Sequence, residues 1–112
     1  MIANRRRVLR LGAAAAMVPA LALPAGAQSR LHQIAIHGFL FGPDRLMVRV
    51  GDKVRFTNHD LAPHTATATD GSWDTGTLEQ GQHADLMVTD AWGGDYFCAH
   101  HPAMTARLEI MA

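Results

Sequence analysis

The chain has 112 residues, 48% apolar and 18% charged, which excludes a disordered polyelectrolyte and leaves room for one domain. Ten basic and ten acidic residues cancel to a formal charge of zero, yet they are segregated: Arg5, Arg6, Arg7 and Arg10 open the chain and no acid precedes Asp44. A single cysteine excludes an intrachain disulfide.

Residues 1–27 carry the marks of an export signal. A basic start is followed by an apolar, alanine-rich stretch over 11–23, and then by Pro24-Ala25-Gly26-Ala27, an Ala-x-Ala cleavage pattern. The run Asn4-Arg5-Arg6-Arg7-Val8-Leu9-Arg10 resembles the twin-arginine consensus, with Val8 where phenylalanine is commoner. The apolar stretch falls short of the roughly 20 residues that span a bilayer and is interrupted by Gly12 and Pro19. The expectation is a cleaved signal over 1–27, a domain over 28–112 and a periplasmic location. Within 28–112 six basic residues face ten acids, a net charge of −4 with histidines neutral. That argues against nucleic acid and anionic membrane surfaces as partners, since both demand a basic patch.

From residue 28 onward the hydrophobic period is two. Ile34 and Ile36, then Leu46, Val48 and Val50, then Val54 and Phe56, alternate with polar neighbours. Ala66 and Ala68, then Ala84, Leu86 and Val88, then Tyr96 and Cys98, and finally Leu108 and Ile110 continue the pattern. Turn chemistry falls between them at Gly42-Pro43-Asp44, Gly51-Asp52, Asp70-Gly71, Gly76, Gly81 and Gly93-Gly94. Seven or so short strands so punctuated predict an all-β, antiparallel β-sandwich, with 70–82 as its least regular segment.

The chemistry concentrates in Tyr96-Phe97-Cys98-Ala99-His100-His101-Pro102-Ala103-Met104. Cys98, His101 and Met104 are spaced by three and three, so one tight loop can turn all three inward. A thiolate, an imidazole and a thioether form a soft-to-intermediate donor set that suits copper better than magnesium or calcium. A second histidine is needed, and His64, which follows the proline-containing Asn58-His59-Asp60-Leu61-Ala62-Pro63, is the best placed. An unpaired thiol in an oxidising compartment is a liability unless buried or metal-bound, which gives Cys98 the same occupation. His32, His37, His59 and His83 read as solvated residues, and Trp73 and Tyr96 as core or near-core aromatics.

On these residues the chain resembles the cupredoxins, nearest the amicyanin–plastocyanin–pseudoazurin group. Phe41-Gly42-Pro43-Asp44-Arg45-Leu46, Val50 to Asn58, Pro63-His64, Trp73-Asp74-Thr75-Gly76 with Gly81, and the Cys98-x-x-His101-x-x-Met104 loop follow the family's order. The resemblance implies a Greek-key sandwich of seven to eight strands and a single type 1 copper held by His64, Cys98, His101 and Met104. It implies a monomeric, non-enzymatic electron carrier whose partners are redox proteins such as a c-type cytochrome or a periplasmic dehydrogenase. A small apolar docking patch around His101 is implied as well. Two positions depart from the pattern. Thr65 stands where asparagine often ties the ligand loops together, a bridge that a threonine hydroxyl can make in part. His100 stands where amicyanin has proline.

Three other functions compete. A copper oxidase or nitrite reductase needs an open position or a further copper cluster, and the chain has no His-x-His pair. A structural zinc module calls for four strong ligands, which a thioether is not. A copper carrier or buffer shares the donor set and differs in releasing metal rather than electrons.

Overall fold

The computed structural model describes residues 29–112; the proposed signal over 1–27 lies outside the described residues. Eight strands follow in chain order: β1 Leu31–His37, β2 Leu40–Gly42, β3 Arg45–Arg49, β4 Lys53–Asn58, β5 Thr67–Ala68, β6 His83–Met87, β7 Asp95–Phe97 and β8 Thr105–Met111. They form two four-stranded sheets, ordered β2-β1-β4-β6 and β3-β8-β7-β5. The all-β sandwich expected from the period-two pattern is the observed architecture, and 70–82 contributes only isolated bridges.

The pairing is mixed rather than wholly antiparallel. β1 runs parallel to β4, with Ile34 opposite Phe56, and β3 runs parallel to β8, with Leu46 opposite Leu108. The cause is connectivity. The chain leaves β1 through the β2 hairpin, crosses to the other sheet for β3, and returns to lie beside β1 in the same direction. Alternation of side chains records which face is buried, not strand direction, so this could not be read from period two.

The two inner faces meet in one core. Ile34, Ile36, Phe56 and Val54 come from one sheet and Val48, Tyr96 and Leu108 from the other, all almost fully buried. Trp73 stacks on Trp92 at 4.6 Å and on Phe56 at 5.6 Å between ring centroids, so both sequence-assigned aromatics, Trp73 and Tyr96, are in the core. Aromatic pairs of this kind add about 0.5–1.5 kcal/mol each beyond area burial. Val50, expected to face inward, is exposed, because β3 ends at Arg49 and the chain turns at Gly51, whose φ is 98°. Gly94 is required by close approach: its carbonyl accepts the Leu108 amide at 2.8 Å, and a Cβ there would fall on the Leu108 carbonyl.

Two carboxylates brace opposite ends. At the end where β1 and β4 begin, buried Asp52 accepts the amides of Arg30 and Arg49, each at 3.0 Å, and pairs with His32 Nε2 at 2.8 Å. His32 is therefore a partly buried, hydrogen-bonded residue and not the solvated one expected, whereas His37, His59 and His83 are exposed. At the other end, Asp60 accepts the amides of Gly38 and Phe39 at 2.8 and 2.9 Å. Those two residues are the centre of the β1–β2 turn and both have positive φ, 62° and 60°. Glycine takes that conformation freely; for phenylalanine it costs about 1–2 kcal/mol.

Burial alone would raise the Asp52 pKa, but the His32 bond and the Arg49 and Arg30 amides outweigh it and hold the carboxyl below its ordinary range. A depressed folded-state pKa contributes stability that is present above the unfolded pKa of about 3.9 and is lost as pH falls through the folded value. Asp52→Ala is thus expected to lower the urea-unfolding free energy by about 1–3 kcal/mol near neutrality, because two amides lose their acceptor. The difference from the unmodified protein should shrink in acid, and a difference that stays constant into acid would contradict this assignment. Tyr96 supplies a converse test. Its hydroxyl is buried with no hydrogen-bond partner among the described residues, and burial, reinforced by Asp44, pushes its ionisation upward. Tyr96→Phe should leave unfolding free energy unchanged or raise it by about 1 kcal/mol; a comparable loss would show that the hydroxyl is satisfied.

Candidate metal centre

The end of the sandwich braced by Asp60 gathers the histidine and cysteine predicted from sequence. Asn58, at the end of β4 and fully buried, organises the loop that follows it. Its side-chain amide donates to the carbonyls of Ala62 and Leu78 at 2.9 and 2.8 Å, and its oxygen accepts the Asp60 amide at 2.9 Å. The chain then passes Pro63 to His64, which pairs with Leu78 through two backbone bonds. This delivers a fully buried imidazole to the space between the sheets.

Cys98 follows β7, and the loop to β8 is closed by its own backbone. The Cys98 amide donates to the Met104 carbonyl at 3.1 Å, the His101 amide to the Cys98 carbonyl at 3.2 Å, and the Met104 amide to the His101 carbonyl at 2.9 Å. The three-and-three spacing thus becomes a compact double turn. Cys98 is fully buried, His101 is half-buried and Met104 is buried.

The ligand atoms of His64, Cys98 and His101 all lie within 4.8 Å of one another. Cys98 Sγ is 3.7 Å from Nδ1 of His64 and 3.7 Å from Nδ1 of His101. Bonds of about 2.3 Å to sulfur and about 2.05 Å to nitrogen, set about 120° apart, separate sulfur from nitrogen by about 3.8 Å. One ion shared by the three donors therefore fits the observed spacing. The donor set of one thiolate and two imidazoles, with a buried thioether residue in the same loop, suits copper.

Protons are already arranged for this. Asp60 Oδ2 lies 2.9 Å from His64 Nε2. The Phe39 amide chiefly, with the Gly38 amide and His64, holds the Asp60 carboxyl below its ordinary range against the opposing effect of burial, so it is ionised and can only accept. The proton consequently sits on Nε2, and the Nδ1 lone pair is left facing Cys98.

Thr65 joins the two donor segments. Its amide donates to Cys98 Sγ at 3.3 Å, and its hydroxyl oxygen accepts the Ala99 amide at 2.8 Å. Thr65 and Thr67 hydroxyls are 2.9 Å apart, and Thr67 donates to Asp74 Oδ1 at 3.0 Å. Since a carboxylate oxygen accepts, each hydroxyl has one direction: Ala99 amide to Thr65, Thr65 to Thr67, Thr67 to Asp74. Thr75 accepts the Ala66 amide at 2.9 Å and adds to this support. Threonine therefore makes the bridge where the family often has asparagine. His100, the second departure, is exposed, lies 3.0 Å from the Thr77 hydroxyl and sets its ring edge-on to that of His101, with centroids 6.4 Å apart.

Sequence reasoning missed Asn58, Asp60 and Phe39. The first two could have been found as an Asn-x-Asp turn signal just ahead of the ligand loop; Phe39 carries no local signal. Beside His101, an apolar groove of about 740 Å³ is lined by Phe39, Leu40, Pro102, Ala103 and Met104 among others.

No family model matches the sequence, and no curated protein does. Solved structures do match. A Cu-containing nitrite reductase from Thermus scotoductus SA-01 is similar at 24% identity and a TM-score of 0.66, over 88% of this chain. The chain spans only 27% of that enzyme's length. A purple cupredoxin from Nitrosopumilus maritimus aligns at 22% identity and a TM-score of 0.62, over 71% of this chain and 99% of that one. A mutant of amicyanin in its Cu(I) form aligns at 25% identity and a TM-score of 0.63, over 84% and 90%. The chain has the cupredoxin fold.

Thr65→Val keeps the side-chain shape and the backbone bond to Cys98 but strips the Ala99 amide of its acceptor. The metal-free protein should lose about 1–3 kcal/mol of unfolding free energy, and the Ala99 amide should exchange faster with solvent. Unchanged stability with unchanged Ala99 protection would show that the hydroxyl does not join the loops.

Proposed function

We propose that this cupredoxin-fold chain is an exported carrier of single electrons, in which His64, Cys98, His101 and Met104 hold one type 1 copper ion. The observation that carries the proposal is the convergence of Cys98 Sγ with both Nδ1 atoms at 3.7 Å, where a self-closed loop carrying Cys98 and His101 meets the segment carrying His64. Bound copper supplies a one-electron couple between Cu(I) and Cu(II).

The residues around it serve that couple by moving little. Cys98 would hold the ion through its sulfur, and the Thr65 amide donates to that sulfur, which would stabilise negative charge there on metal binding. Asp60 fixes the tautomer and orientation of His64. Met104, anchored by backbone bonds to Cys98 and His101, would supply the weak fourth donor. His101 is the one of the three clustered donors that is not fully buried, and it borders the apolar groove. It is the natural contact between the centre and a partner.

Several features support the finer reading. The basic, apolar and Ala-x-Ala segments of 1–27 support export to the periplasm, by the twin-arginine route. Among the described residues no helix is long and apolar enough to cross a membrane. The charge of −4 over 28–112 favours a basic redox partner, such as a c-type cytochrome or a periplasmic dehydrogenase, met by the chain as a monomer. A chain with no His-x-His pair to build a further copper cluster favours a carrier over an enzyme.

One equivalent of Cu(II) added to the metal-free protein should produce an intense visible thiolate-to-copper band, absent from Cys98→Ser. The reduced protein should pass electrons to a c-type cytochrome faster than it yields copper to a chelator. A colourless complex would refute the type 1 site, and copper loss outpacing electron transfer would make the protein a copper carrier.

A further inference from the structure

The β1–β2 turn holds a residue in an unfavourable conformation with no core burial to explain it. Phe39 has a φ of 60° and is 45% exposed. What its backbone achieves is the placement of a ring. The Phe39 centroid lies 4.9 Å from that of His64 and 4.7 Å from that of His101, with interplanar angles of 89° and 82°. It is therefore packed edge-to-face on both imidazoles at once, and these are 4.9 Å from each other. The backbone that presents it is not free to relax, because Asp60 accepts the Gly38 and Phe39 amides with the same carboxylate that accepts a hydrogen bond from His64 Nε2. One side chain thus fixes the turn and one imidazole together, and the turn delivers a ring against both. Strained residues persist where surrounding structure over-determines them, commonly at functional sites.

Building on the copper site proposed above, we infer that Phe39 is a positioning residue for it. Its ring, set by Asp60, wedges His64 and His101 so that their Nδ1 atoms stay turned to Cys98, and it closes that side of the centre to small external ligands. The role is separate from core packing, since nearly half of the residue's surface is open to solvent.

Phe39→Gly isolates the ring, because glycine keeps the positive φ at no cost and removes only the side chain; Phe39→Leu restores bulk. In the metal-free protein, relaxation of the His64 and His101 ring signals should show greater mobility in Phe39→Gly, with folding stability undiminished and Phe39→Leu close to the unmodified protein. In the copper-loaded protein, azide should perturb the visible band of Phe39→Gly at about tenfold lower concentration, the scale of an aromatic contact worth one decade in affinity. Unaltered ring mobility together with unaltered azide response would overturn the inference. Unfolding of Phe39→Gly would overturn it too, by making the ring a core element. If the unmodified protein forms no coloured copper complex, the copper reading fails by itself, and the metal-free ring dynamics still decide whether Phe39 clamps the imidazoles.

Discussion

Everything at the functional end of this molecule depends on how Thr65 is held against Cys98 and Ala99. The His64 segment and the Cys98 loop are separated by more than thirty residues of chain, and their donors must share one point in space. Two bonds from one threonine join them: its amide to the sulfur at 3.3 Å and its hydroxyl oxygen from the Ala99 amide at 2.8 Å. The Thr65 hydroxyl in turn donates a hydrogen bond to Thr67, whose hydroxyl donates to Asp74, so the junction is tied outward to the 73–76 turn. Directed chains of this kind strengthen their members and leave no alternative orientation. The two donor segments are consequently tied together at the sulfur itself.

A second constraint acts on the opposite side of the site. Asp60 is a single carboxylate that serves three donors, the Gly38 and Phe39 amides and His64 Nε2. Amide donors keep it ionised, and its charge keeps the His64 proton away from the donor nitrogen. An imidazole held in this way needs no proton rearrangement before it can donate its Nδ1 lone pair to a metal. Asp52 plays a comparable mechanical part at the far end, gathering the Arg30 and Arg49 amides and His32, but without chemistry attached. Two residues of one type thus do different work according to what faces them.

Much of this was legible in the sequence, for reasons that can be stated. Strand positions followed from alternation, since burial of one face leaves a period of two wherever a strand packs on a core. His64, Cys98 and His101 were legible because few donor sets combine thiolate and imidazole at that spacing, and the fold brings those three together. Met104 was read from the same loop, and its backbone closes that loop. Strand direction was not legible, because parallel and antiparallel neighbours share one alternation; the β1–β4 and β3–β8 pairs show it. Val50 misled because alternation ran one residue past the strand into the Gly51 turn. His32 misled because its partner, Asp52, is twenty residues away and meets it only across two paired strands. Phe39 could not be seen at all, since its importance lies in a backbone conformation that its residue type disfavours.

Preorganisation of the donors by the fold, before any metal arrives, is what the electron-carrier reading depends on. It is tested most directly by crystal structures of the protein in metal-free, Cu(I) and Cu(II) forms. His64 Nδ1, Cys98 Sγ and His101 Nδ1 should superpose across the three within about 0.5 Å, the tolerance of a preorganised site. Rotation of His64 or Cys98 out of the cluster in the metal-free form, or a rearrangement of the Thr65 bridge between the two copper states, would contradict it.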